Sequence, residues 1–221
     1  MTQTDNYKTL ALQLDHAVAN REKLPKFPQL NMDEAYKVQA TFTQMVDGGL
    51  AGFKAGLTTP QLQEIFGLDA PLLGRLFNRG RLAKDCDLPY IAGVGLECEM
   101  AVVIDKNGAP KAMAPAIEIV YLEFTDPADM SAANLVAGNI GADRFIIGDL
   151  LPWNDDFEQA QVQLSRDGEA VNKAALIEAI GGPAPASKWM TEQALALGIS
   201  LEEDMILMTG TCGGAVAAEP G

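Results

Sequence analysis

The sequence predicts an α+β protein: a mixed β-roll or β-sandwich core with an N-terminal helical region and peripheral helices. Three observations carry this. Apolar residues in the first fifty positions recur at helical spacing. Short apolar, strand-like segments dominate from residue 90 onward. Strands and helices do not alternate regularly there, which argues against a doubly wound parallel sheet. The 221 residues, 48% of them hydrophobic, suffice for a packed core without a disulfide or metal staple. The chain divides into a helical region over 1–50 and a β core over 51–221 that together form one functional unit.

The elements follow in order. Over 5–20, Leu10, Leu12, Leu14 and the Ala17–Ala19 run among polar positions fit an amphipathic helix. Residues 23–30 hold Pro25 and Pro28 and read as a linker. Asn31 or Asp33 then caps a second helix through Ala35, Val38, Phe42 and Met45, ending near Gly48 and Gly49. A short apolar segment, Gly52-Phe53-Lys54-Ala55-Gly56-Leu57, encloses one lysine. Thr58-Thr59-Pro60 resembles a helix cap with proline in the first turn, and Gly67 ends that helix. Strands are expected over 95–104, 116–124, 143–148, 160–165 and 204–209, with a turn at Asp105-Lys106-Asn107-Gly108. Helices are expected over 131–140, 172–180 and 187–197, with a loop over 181–185.

Bulk charge narrows the partners. The formal net charge is −14, from 16 basic and 30 acidic residues. Such a surface disfavours nucleic acid and anionic membranes. An anionic substrate would need a local positive centre. The polar N-terminus lacks the apolar region of a secretion signal, and no apolar run approaches the roughly 20 residues needed to span a bilayer. Three irregularly spaced cysteines, Cys86, Cys98 and Cys212, form neither a disulfide framework nor a zinc motif. Reduced thiols in a cytoplasmic protein are the simple reading.

The chemistry centres on Glu97 and Glu99. They sit one residue apart in an apolar strand, so both side chains leave the same face. Two such carboxylates repel each other, and a divalent cation would offset the cost. Taken alone, the pair is more often the solvated face of a strand than a metal site. A lone Glu118 in a second apolar strand adds a third carboxylate. Three carboxylates without histidine suit a hard, oxygen-seeking ion rather than zinc. Lys54 is either a snorkelling strand-end lysine or a pocket group that binds an anion or moves a proton. His16, the sole histidine, reads as a surface residue. The Thr209-Gly210-Thr211-Cys212-Gly213-Gly214 loop lacks the lysine of a P-loop, but its amides could meet an anion.

Five segments in order resemble the hydratase/decarboxylase branch of the fumarylacetoacetate hydrolase superfamily: Gly52 to Thr58, Glu97-Cys98-Glu99, Pro115 to Val120, Ala137-Gly138-Asn139, and Thr209-Gly210-Thr211. Glu34 to Gln39 matches as well, so the resemblance spans nearly the whole chain. It implies that Glu97, Glu99 and Glu118 ligate one Mg2+ or Mn2+, that Lys54 is the catalytic pocket lysine, and that Leu57, Thr209 and Thr211 contact substrate. It further implies a small 2-oxo acid substrate, a hydratase or decarboxylase reaction, and a homo-oligomer. A catalytically altered metal-binding member and, below it, a C–C hydrolase of acylpyruvates are the other readings. The chain departs from the family pattern at the short 105–115 connection, at Leu73 where an acidic or aromatic residue is common, and at Asn78 where an aspartate is common. It also stops at 219–221 where relatives continue, so a short member or a truncated sequence is expected.

Overall fold

The computed structural model describes residues 3–157 and 159–220, with the side chains of 3 and 4 left aside. Gly221 and the first two residues, on which part of the reading of the chain ends rests, lie outside the described residues. Two helices open the chain, α1 (Gln3–Asn20) and α2 (Met32–Met45). Asn31 caps α2 through a reciprocal box: its side chain accepts from the Glu34 amide, while Glu34 accepts from the Asn31 amide. The chain then enters β1 (Leu50–Gly56), α3 (Pro60–Phe66) and β2 (Leu72–Phe77). Thr59 caps α3, Pro60 opens it, and Gly67 closes it in the left-handed conformation.

The remaining elements are β3 (Arg81–Leu82), β4 (Val94–Ile104), β5 (Pro110–Tyr121), α4 (Ala132–Ala137), β6 (Ala142–Ile147), β7 (Leu151–Pro152), β8 (Gln161–Arg166), β9 (Glu169–Ala175), α5 (Pro183–Ala196), β10 (Ile206–Met208) and β11 (Val216–Ala217). Nine strands form one mixed sheet with the path β2-β1-β10-β4-β5-β6-β3. There β11 pairs with β4, and β7 pairs with β5. The β1–β10 and β3–β6 pairs are parallel and the others antiparallel. The β8–β9 hairpin stands apart. This is the expected mixed α+β architecture.

Four expectations need correction. Residues 72–77, given no strand, form fully buried β2. Residues 172–180, expected as a helix, complete β9 and turn into a 3-10 segment at Leu176–Glu178. Their alanine-rich composition favours a helix, but pairing with β8 outweighs it. Of the expected 181–185 loop only Gly181 and Gly182 stay outside the helix; Pro183, Ala184 and Pro185 form the first turn of α5, where missing N–H groups cost little. The second strand of the long hairpin begins at Pro110 rather than 116, with Ala114 and Ala116 buried along it.

Side-chain alternation divides the sheet. Phe53, Ala55, Val102, Ile104 and Leu207 pack with Met190 and Ala194 of α5. Ala101, Ala114, Ala116, Phe145 and Met208 cluster separately within the curl. The first two helices bury Leu10, Leu14, Val38 and Phe42 against Leu72, Phe77, Leu135 and Val136, so their core is shared with the region that follows.

Candidate metal centre

The β4–β5 hairpin sets the acidic residues in place. Asp105 closes it: its carboxylate accepts from the amides of Asn107 and Ala109. The resulting register puts Glu97 directly opposite Glu118 and Glu99 opposite Ala116. Directly paired like charges destabilise a sheet, so this pairing calls for compensation. One carboxylate oxygen from each of Glu97, Glu99 and Glu118 lies within 4.8 Å of the others. Glu99 and Glu118 are 0% exposed, which rules out the solvated-face reading for both, while Glu97 is half-buried.

Lys54 arrives from β1, two strands away across β10. It is 2% exposed, and the snorkelling reading fails. Its Nζ donates to Glu118 Oε2 at 3.1 Å and lies 3.0 Å from Oε1, the latter without hydrogen-bond geometry. Space for the lysine stem depends on Gly74 of neighbouring β2: a Cβ there would sit 2.8 Å from Lys54 Cγ. Gly210 has a second steric role. Its φ is +103°, a Cβ would fall 2.4 Å from Thr58 Cγ2, and its amide donates to Glu99 Oε2 at 2.9 Å.

Electrostatics reflect the crowding. Burial, then the charges of Glu118 and Glu97, push the Glu99 carboxyl well above its usual range. Burial likewise pushes Glu118 up to about 7, against the opposing pull of the Lys54 ammonium. For Lys54 burial works toward the neutral amine, but the Glu118, Glu97 and Glu99 charges outweigh it, and its pKa rises. Glu99 Oε1 and Glu118 Oε1 are buried without a hydrogen-bond partner. Such orphaned acceptors are costly. Three convergent carboxylates with two unsatisfied oxygens fit a hard divalent cation.

A cavity of about 490 Å³ opens over this cluster. Lys54, Glu97 and Thr211 contribute polar atoms, and Leu57, Val120, Leu122, Leu135 and Ile140 form an apolar wall. Thr211 Oγ1 is buried and unpartnered. Leu57 (φ 52°) and Ile140 (φ 56°) hold left-handed backbone conformations. Such strain costs about 1–3 kcal/mol per residue and is concentrated at functional sites. Asn139, next to Ile140, exchanges two hydrogen bonds with the Arg75 backbone at 2.8 Å each.

Of the residues predicted to contact substrate, Leu57 and Thr211 line the cavity. Thr209 does not: it is 2% exposed, and its hydroxyl donates to the Met100 carbonyl at 3.0 Å. Leu73 is buried in the core, and Asn78 donates to the Gly48 carbonyl, a structural bond. His16 lies on the surface. Glu178, which sequence reasoning passed over inside a supposed helix, lines the cavity from the turn after β9.

No protein-family model matches the chain. Among curated relatives, 2-keto-4-pentenoate hydratase of Paraburkholderia xenovorans (strain LB400) is 27% identical, over 88% of this chain and 79% of its own. The chain is a homologue of the 2-keto-4-pentenoate hydratases. Its fold is that of the fumarylacetoacetate hydrolase family. The structure of 4-oxalocrotonate decarboxylase from Pseudomonas putida G7, complexed with magnesium and adipate, superposes with a TM-score of 0.84 at 20% identity. That match covers 100% of this chain and 92% of the decarboxylase. Fumarylpyruvate hydrolase from Pseudomonas aeruginosa, in complex with Mn2+ and pyruvate, gives 0.54 at 16% identity, over 80% of this chain and 85% of that one. No helix among the described residues is long and apolar enough to cross a membrane.

Proposed function

We propose that the chain is a metal-dependent hydratase, a carbon–oxygen lyase acting on 2-hydroxy-2,4-dienoates and their 2-oxo-4-enoate forms. The observation that carries this is the convergence of Glu97, Glu99 and Glu118 beside the buried Lys54 ammonium, under a mostly apolar cavity. Homology to the hydratases supports it. Glu97, Glu99 and Glu118 would hold Mg2+ or Mn2+. When bound, the ion supplies a Lewis acid for the carboxylate and 2-oxo oxygens of the substrate and stabilises the negative charge that develops there.

The chain's own residues account for the rest. The apolar wall of Leu57, Val120, Leu122 and Ile140 takes the hydrocarbon part of the substrate and shields it from bulk water. The unpartnered Thr211 hydroxyl donates to the substrate carboxylate. Lys54 Nζ, kept protonated beside Glu118, holds the proton to be delivered to the terminal carbon as the 2-hydroxyl loses its own. Water then adds at carbon 4, and its second proton ends on carbon 3. Fixed geometry in a dry pocket supplies the rate advantage. Thr209, with its hydroxyl donated to the Met100 carbonyl, is assigned a supporting role in place of the substrate contact the resemblance implies.

A decarboxylase acting on 2-oxo-3-enedioates is the second reading, favoured by the closeness of the fold to 4-oxalocrotonate decarboxylase. Both reactions pass through the same dienolate, so one floor could serve either. The same proposal makes the protein a cytoplasmic homo-oligomer, consistent with three free cysteines. The test is turnover of 2-hydroxypenta-2,4-dienoate and of 2-oxohex-3-enedioate by the magnesium-loaded protein. Hydration of the first is expected. Carbon dioxide release from the second alone would reverse the assignment, and silence on both with metal bound would overturn it.

A further inference from the structure

The two candidate reactions differ in one chemical feature at the far end of the substrate. A dienoate ends in a hydrocarbon, whereas an enedioate ends in a second carboxylate. The cavity distinguishes these ends. Among the described residues, Lys54 is the single cation lining it, and that charge is already committed to Glu118. With a divalent ion in place, the three glutamates, the lysine and the ion sum to zero charge. The floor is then neutral before substrate arrives; the ion can take the first carboxylate as a ligand, and no further cation is left for a second.

Glu178 adds a directed obstacle. It lies in the 3-10 turn between β9 and α5, is exposed, and lines the cavity. Its position is fixed, because Oε1 accepts from the Ala175 amide at 3.0 Å. The rest of the lining is mostly apolar, with Leu57, Leu122, Leu135 and Ile140 among it, and its uncharged polar side chains are those of Thr58, Thr59 and Thr211. A distal carboxylate laid against the apolar residues is an expensive unpaired charge, one near Glu178 is repelled, and the threonines offer it hydroxyls but no countercharge.

We infer that Glu178 is a specificity-determining residue that, with the apolar wall, selects 2-oxo monoacids with a hydrocarbon tail and rejects diacids. The inference rests on the 2-oxo acid reading above and deepens it. It uses negative selection: the wrong substrate is excluded by a placed like charge rather than the right one gaining a contact.

The test is calorimetric binding of two unreactive probes, 2-oxopentanoate and 2-oxoadipate, to the magnesium-loaded protein, in wild type and in Glu178→Gln. The glutamine keeps an oxygen to accept from the Ala175 amide and removes the charge. Wild type is expected to bind the monoacid at least about tenfold more tightly, the scale of one unpaired polar group in an apolar wall. Glu178→Gln should tighten diacid binding about fivefold more than monoacid binding, the size of a water-screened contact between unit charges. Added salt should narrow the wild-type preference, because an exposed charge is screened, and should have less effect in the variant. Equal binding of both probes by wild type, or a preference that neither Glu178→Gln nor salt moves, would overturn the inference alone. Failure of both probes to bind the metal-loaded protein would overturn the 2-oxo acid reading and the inference with it.

Discussion

Replacing Glu99 by glutamine should move stability in opposite directions with and without metal. Glu99 is fully buried, and its Oε2 accepts from the Gly210 amide, a bond the glutamine oxygen can keep. Oxygens of Glu97 and Glu118 lie within 4.8 Å. At an effective dielectric of 20, two unit charges at that separation repel by about 3.5 kcal/mol. Part of this is already relieved by the Lys54 ammonium. A net gain of about 2 kcal/mol in the metal-free variant is therefore reasonable, worth roughly 4–8 °C in a chain of this length. Metal has the opposite dependence. Wild type at a hundredfold excess of Mg2+ over Kd should gain about 2.7 kcal/mol, and a variant with one charged ligand fewer should lose most of that at the same concentration. Thermal unfolding in EDTA and in saturating MgCl2 measures both. A metal-free Glu99→Gln protein less stable than wild type, or one retaining the wild-type magnesium shift, would refute the reasoning.

Other perturbations follow the same logic. Lys54→Ala should keep magnesium binding but lose most hydration of 2-hydroxypenta-2,4-dienoate, and its metal-free form should lose about 3–5 kcal/mol because Glu118 is left buried without its partner; unchanged turnover would remove Lys54 from the reaction. Gly210→Ala should destabilise by about 2 kcal/mol or more, since its φ of +103° and the 2.4 Å approach to Thr58 leave no room for a methyl group, as a chemical denaturation midpoint would show. Asn139→Ala should cost about 2–4 kcal/mol by stranding the buried Arg75 amide and carbonyl, read by the same assay. Burial pushes the Cys212 thiol up to about 12 and raises Cys98 as well. At pH 8 only about one Cys212 in ten thousand is thiolate. In the native protein a disulfide-exchange reagent should therefore react with Cys86 first, and denaturant should expose all three. The linkage sign agrees: as pH rises past the ordinary thiol range the unfolded chain releases this proton first, so folding stability falls. Rapid native reaction of all three thiols would contradict the packing.

The sequence carries the polar punctuation of this fold well. The Asn31 box, the Thr59-Pro60 start, the Gly67 stop and the Asp105–Gly108 turn are local devices whose chemistry is complete within a few residues. Period two also sufficed to put Glu97 and Glu99 on one face. Non-local pairing was less legible. Buried on both faces, β2 shows no alternation, and Arg75 within it disguises a core strand whose guanidinium donates to Gln39. The helix-favouring residues of β9 become a strand only because β8 is there to pair with. That misreading also concealed Glu178, which takes its place in the cavity only once the hairpin turns back. The opposition of Glu97 and Glu118 likewise follows from the hairpin register, which no spacing along the chain prints.

The most direct measurement is an anomalous-scattering map from crystals grown with Mn2+ and 2-oxopentanoate. The account predicts one strong peak about 2.1 Å from oxygens of Glu97, Glu99 and Glu118, with the 2-oxo acid chelating the same ion and its tail against Leu57 and Ile140. A manganese peak elsewhere, with the three carboxylates uncoordinated, would contradict it.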